Sequence, residues 1–176
     1  MNRSNRHHFF IAISLAALVL VPAASAQAPV LFDGTGPVVF NYQAAASADS
    51  IPRTQLITPE NLAKSLQAAN TPKPLLLGVG PRSLYSQAHI PGSEYMGAGS
   101  SDAGRKKLRQ RVKALPHDTA IVLYCGCCPW DHCPNVQPAY DELHAALGFR
   151  NVKVLYIANN FGTDWVDKGY PVAKGD

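Results

Sequence analysis

The stretch that most constrains the fold is Thr119-Ala120-Ile121-Val122-Leu123-Tyr124, an uncharged run that ends against Cys125. A short continuous apolar run bounded by turn residues is a strand buried on both faces, and such strands belong to parallel sheets covered by helices. Leu75-Leu76-Leu77-Gly78-Val79 and Val152-Lys153-Val154-Leu155-Tyr156-Ile157 read the same way. Helical segments fall between these runs. Thr58 caps a helix that takes Pro59 in its first turn, where a missing N–H costs nothing, and Leu62, Leu66 and Ala69 form its apolar face. Pro81 to Gln87 reads as a short helix, and Pro91-Gly92 as a turn. Arg105 to Lys113 holds six Lys or Arg in nine positions, with Leu108 and Val112 as its apolar seam, and is read as a solvated helix face. Pro138 to Leu147 is amphipathic and stops at Gly148, and a last short helix around Asp164 to Lys168 ends at Gly169. Strands alternating with helices predict an α/β fold with a central, mostly parallel sheet flanked by helices on both faces.

The chain opens with Arg3 and Arg6, an apolar run from Phe9 to Val21, and Ala24-Ser25-Ala26, the three parts of a secretory signal peptide. The run is too short for a comfortable membrane span. Residues 1–26 are therefore read as a signal removed on export, with no stable membrane insertion afterwards and a periplasmic or secreted location. Loss of its two arginines lowers the formal charge from +4 to +2, which argues against a nucleic-acid partner. Ala, Gly, Ser and Pro predominate over residues 27–53, read as a linker or N-terminal extension with a short strand at Val38-Val39-Phe40. The domain proper is placed at residues 54–174.

All four cysteines, Cys125, Cys127, Cys128 and Cys133, fall within nine residues of the stretch YCGCCPWDHCP. Disulfides persist in an oxidising compartment, and four cysteines allow three connectivities. Framework disulfides stabilise most when they close long loops, so this clustering favours chemistry over architecture. Cys125 is delivered at the carboxyl end of its strand, where open α/β sheets bind ligands. The loop then leads to a helix N-terminus, which favours an anion and lowers a thiol's pKa. Cys125 is the expected nucleophile. Cys128, at C-x-x-C spacing, or its neighbour Cys127 is the thiol expected to resolve a sulfur carried on Cys125, and Cys127 with Cys133 is one of the three ways to tie the loop. His132 is placed to stabilise the thiolate if it folds back over Cys125. Trp130 reads as a loop anchor and Asp131 as a turn cap, with Gly126 and Pro129 completing the loop.

The order of motifs resembles the rhodanese-like domain family. ITPENLAKSL is similar to its opening helix, and LLLGVGPRSLYSQAHIPGSEYMG to its strand, helix and HIPG turn. IVLYC resembles the strand that delivers the active-site cysteine, DELHAALGFRNVKVL the next helix and strand, and TDWVDKGYPV the closing segment. The resemblance implies that Cys125 carries sulfur as a persulfide and that His89 is structural. It implies a small sulfur-containing or thiol substrate; no cofactor is expected, and resolution of the persulfide by a neighbouring thiol would leave a disulfide, for which a periplasmic thiol reductant is the expected partner.

The sequence departs from the family at three places. The loop Cys125 to Asn135 is long, contains no Arg or Lys, and holds Pro129 and Pro134, each without a backbone donor. The family's Asp-Val-Arg stands as Gly78-Val79-Gly80, leaving Arg82 as the candidate substrate-binding cation, and Asn159-Asn160-Phe161 replaces a paired glycine. Weak handling of thiosulfate is therefore expected. Two other readings stand beside sulfur transfer: a non-catalytic thiol-rich module for copper(I), and a partner-binding fold whose loop is stapled by disulfides.

Overall fold

The computed structural model describes residues 48–175; the signal expected at 1–26 and the strand expected at Val38-Val39-Phe40 lie outside them. β4 (Ile121–Tyr124) is the middle of a five-stranded parallel sheet with the order β1 (Leu56–Ile57), β5 (Val152–Leu155), β4, β2 (Leu75–Gly78), β3 (Glu94–Tyr95). All of β4 is buried, which accounts for its unbroken apolar sequence. Its register is fixed on both edges, with Leu123 opposite Leu77 of β2 and Val154 of β5.

Alternate strand residues face opposite layers. Leu77, Ile121, Leu123 and Val154 pack with Leu108 and Val112 of α3 (Asp102–Val112) and with Val136, Ala139 and Leu143. Leu76, Val122, Tyr124 and Leu155 face Leu62 and Ala63 of α1 (Pro59–Gln67), Tyr85 of α2 (Arg82–Gln87) and Trp165. Thr58 Oγ1 accepts from Asn61 N–H at 3.2 Å, the cap expected for α1. The basic helix α3 is tied into the protein rather than open to anions. Arg111 pairs with Glu94, Arg109 with Glu142 and Arg105 with Asp102, and Lys107 donates to the Tyr95 carbonyl. Among the described residues no helix is long and apolar enough to cross a membrane.

Two boundaries differ from the sequence reading. The helix expected from Pro138 begins two residues earlier, as α4 (Val136–Asp141), and continues in wider π turns over Glu142–Ala146 to the left-handed Gly148 (φ 72°). Pro138 lies within the first turn, where an N–H has no intrahelical partner, so it marks neither end of the helix. Residues 48–53, read as linker, belong to the folded unit. Ala48 and Ile51 are 0% and 4% exposed and join the core beside α4 and the turn Trp130–His132. Two apolar residues in a stretch of small and turn-forming residues give no period to read. Ile51→Ala should therefore cost about 2–5 kcal/mol, the usual range for emptying a buried aliphatic site; denaturant unfolding measures it, and a loss below about 0.5 kcal/mol would return these residues to the linker.

Candidate active site

The chain leaves β2 toward β3 on one side of the sheet and leaves β4 toward β5 on the other. The carboxyl ends of β2 and β4 therefore form the crevice in which sheets of this kind hold ligands. Cys125 enters it directly from β4. Gly80, Tyr85, Tyr124, Gly126 and Phe161 help wall a cavity of about 30 Å³ against Cys125, with no charged residue in its lining. That is room for about one water-sized atom.

The glycines at this crevice have a steric cause. A Cβ on Gly78 would stand 2.8 Å from the Tyr85 ring, and one on Gly80 would stand 3.0 Å from Cys125 Sγ. Tyr85 is itself fixed, its hydroxyl donating to the Ser93 carbonyl at 2.6 Å and its ring stacked 4.2 Å from His89. His89 is buried against Tyr85 and exchanges backbone hydrogen bonds with Ala173, a structural setting. Gly126 is tighter still, since a Cβ there would meet Phe161 Cβ at 2.2 Å.

The four cysteines are free thiols. The Cys125 Sγ–H donates to Cys127 Sγ at 3.3 Å, and Cys127 and Cys128 sulfurs are 2.9 Å apart. Cys125, Cys127 and Cys133 have all three sulfurs within 4.8 Å of one another. Cys127, not Cys128, is thus the thiol in contact with Cys125; Cys128 lies behind Cys127 and donates to the His132 carbonyl at 3.4 Å. Of the two thiols expected as partners of Cys125, the structure brings Cys127 into contact and leaves Cys128 one sulfur further away.

The charge is also placed differently. The hydrogen bond from Cys125, then that from Cys133, holds Cys127 well below the ordinary thiol range against the opposing effect of burial; Cys128 and Asn135 add to the lowering. Donating to Cys127, then to Cys133, and being buried hold Cys125 well above it. Burial, then contact with Cys127, raises Cys128. At Cys133 the hydrogen bond from Cys125 favours the thiolate, but donation to Cys127 and burial prevail and the pKa is raised. The helix N-terminus expected to serve Cys125 acts on Cys133 instead, where the backbone of Asn135 and Val136 favours the thiolate.

Asn135 is a site residue that the sequence reading passed over. It occupies the N-cap of α4 without capping it. Its Oδ1 accepts from Ser100 N–H at 3.2 Å and Ser100 Oγ–H at 2.9 Å, which turns Nδ2 toward Cys125 Sγ at 3.5 Å and Cys127 Sγ at 3.7 Å. A cap-type residue directly after a thiol-rich loop was the signal, hidden because the helix was taken to begin at Pro138.

Pro129, Trp130, Asp131 and His132 do not line the cavity at Cys125. Trp130 anchors the loop, its ring 5.1 Å from Tyr156 and its N–H donating to the Ala158 carbonyl at 3.3 Å. Gly126 accepts from Phe161 N–H, and the His132 and Cys133 amides donate within the loop, to Pro129 and Trp130. Pro129, Asp131 and His132 are exposed. His132 Nδ1 faces Asp131 Oδ1 at 2.7 Å and so does not fold over Cys125 as expected. Arg82 lies over the Tyr95 ring at 5.3 Å and lines a separate hollow of about 560 Å³ with Lys107 and Arg111. Its side chain follows the exposed face of α2, so the cation expected for substrate binding is outside the Cys125 cavity.

The sequence model of the rhodanese-like domain matches residues 58–156, and the chain belongs to that family. Among solved structures it is similar to a Bacillus halodurans protein in a crystal structure, at 22% identity over 68% of this chain and 76% of that one, with a TM-score of 0.51. A rhodanese-like domain from an Anabaena protein, solved by NMR, matches at 21% identity over 68% and 79%, with a TM-score of 0.50. A thiosulfate sulfurtransferase from Pseudomonas aeruginosa matches at 26% identity and TM-score 0.50, over 70% of this chain but 20% of that one. No curated protein matches. The fold and family expected from the sequence are both borne out.

Cys127 combines partial exposure with the negative charge, whereas Cys125 and Cys133 are 4% and 3% exposed. Brief alkylation of the reduced protein should therefore label Cys127 first and Cys125 and Cys133 last, as read by fragment mass spectrometry. Earliest labelling at Cys125 would reverse the charge assignment.

Proposed function

We propose that the protein is an exported sulfurtransferase in which Cys125 carries a sulfane sulfur as a persulfide. The observation that carries this reading is the contact of Cys125 with two things at once: the Cys127 sulfur at 3.3 Å and an uncharged cavity sized for one atom. Similarity to a thiosulfate sulfurtransferase over 70% of the chain supports the reaction class.

In the first step Cys125 Sγ attacks the outer sulfur of a donor R–S–SH as its own proton passes to the Cys127 thiolate. The S–S bond of the donor breaks, RS⁻ leaves with the electron pair, and the products are Cys125–S–SH and the Cys127 thiol. Cys127 is thereby the base of this step, at hydrogen-bond distance from the proton it takes. An external thiolate then attacks the outer sulfur of the persulfide, which returns Cys125 as the leaving thiolate; it recovers the proton held by Cys127, restoring the starting pair. The terminal sulfur is held beside Gly80, the glycine next to Cys125 Sγ, between the two steps.

Cys125→Ser should abolish persulfide formation and leave the melting temperature nearly unchanged. Cys127→Ser should retain the persulfide site but slow its formation by ~10²–10⁴-fold, the usual contribution of a positioned base. Rapid-quench mass spectrometry follows the ~32 Da adduct that a bound sulfur adds. Full activity in Cys125→Ser would refute the assignment.

The donor follows from charge. No cation lines the cavity, and the nearby loop amides named above donate to protein carbonyls. A dianionic donor finds no compensation there, whereas a thiol-bound persulfide brings less charge. Steady-state comparison should give a specificity constant for low-molecular-weight persulfides well above that for thiosulfate. Efficient thiosulfate turnover would show that Arg82 swings into the crevice.

A further inference from the structure

We propose that Cys125, Cys127 and Cys133 together form a three-sulfur site for the cuprous ion, Cu(I). In the sulfur-transfer reading Cys133 serves only as a donor to Cys127, yet it is 3% exposed with its sulfur turned into the same cluster. Its three sulfurs are within 4.8 Å of one another. With metal–sulfur bonds of about 2.3 Å, the ligands of a trigonal site stand about 4 Å apart, so this spread matches one ion with side-chain adjustments under about 1 Å.

The donor set selects the metal class. Thiolates are soft ligands and favour Cu(I), zinc and iron–sulfur clusters. Structural zinc takes four ligands in a tetrahedron. Among the described residues no fourth Cys, His, Asp or Glu joins the mutual set. Cys128 touches Cys127 at 2.9 Å but lies outside that mutual set and donates to the His132 carbonyl, and the His132 ring faces Asp131 at the surface. Three sulfurs without a fourth ligand suit a monovalent d¹⁰ ion.

The surroundings hold the ligands in place. Asn135, 3% exposed and locked by Ser100, aims its amide hydrogens at Cys125 and Cys127. Hydrogen bonds of this kind orient metal ligands from outside the coordination sphere. Burial of Cys125 and Cys133 keeps water from two of the three sulfurs, leaving half-buried Cys127 as the point of entry. Binding exchanges thiol protons for the ion and moves no electrons. It also occupies Cys125, so copper and sulfane sulfur exclude each other.

The test is an anaerobic Cu(I) titration of the reduced full chain against a chromophoric Cu(I) chelator, with X-ray absorption on the loaded protein. The expected result is one Cu(I) per chain, three sulfur neighbours, and Cys128→Ser binding like wild type. Cys133→Ser should lose more than the ~10–100-fold typical of an outer-shell change, and Asn135→Ala should fall within that range. Wild-type affinity in Cys133→Ser, or a count of two sulfurs, would overturn the site. Circular dichroism of the metal-free variants checks their fold; if Cys133→Ser does not fold, the sulfur count on wild type decides alone. Neither readout requires turnover, so copper binding without sulfur transfer would refute the earlier reading and leave this one standing.

Discussion

Hydrogen bonding along both edges of β4 is the constraint from which the site follows. A strand paired on each side cannot slip, because a one-residue shift would send its whole apolar set to the wrong layer. With Leu123 committed to the layer of α3 and α4, Tyr124 must face the other layer and Cys125 must return to the first. That return carries the Cys125 sulfur toward the start of α4, where Cys133 and Asn135 are waiting. Tyr124, sent the other way, has its hydroxyl 2.6 Å from Ser93 Oγ, which ties the base of the crevice to the turn after α2.

The electrostatics of the cluster follow from crowding. Three sulfurs in a largely buried space cannot all be anionic, because like charges close together in a poorly solvated site disfavour one another. One of them holds the charge and the others become its donors. Cys127 is the one that water partly reaches and that Asn135 also addresses. A thiol at the strand end is thus kept protonated in the resting state, with its proton already aimed at the neighbour that can receive it. Reactivity here depends on a relation between side chains and not on the intrinsic acidity of one cysteine.

The sheet, its helices and the position of Cys125 were legible in the sequence because burial writes itself as unbroken apolar runs, and Thr58 and Gly148 punctuate helices in the expected way. Which of Cys127 and Cys128 touches Cys125 was not legible. C-x-x-C spacing points to Cys128, but which sulfur fills a gap depends on loop dihedrals that spacing does not encode. Asn135 and Ser100 meet across 35 positions, and such a pairing has no local signature. The segment at Ala48 and Ile51 was missed for a similar reason: it is ordered by what it packs against and not by its own pattern. The family's missing acid and base were visible from the start, whereas their cause needed coordinates.

That cause bears on how such a site can change. The Tyr85 ring and the Cys125 sulfur occupy the space where side chains at 78 and 80 would begin. A chain arranged in this way cannot regain an acid at 78 by one substitution, because the newcomer arrives where an aromatic ring already lies, and an arginine at 80 would crowd the sulfur. The ring would have to shrink or swing away first, loosening the His89 stack on its far side. Each step alone is unfavourable and only the combination is tolerated, the strong non-additivity expected of residues in direct contact. The crevice behaves as an evolutionary ratchet: its preference is held by the order in which replacements would have to occur.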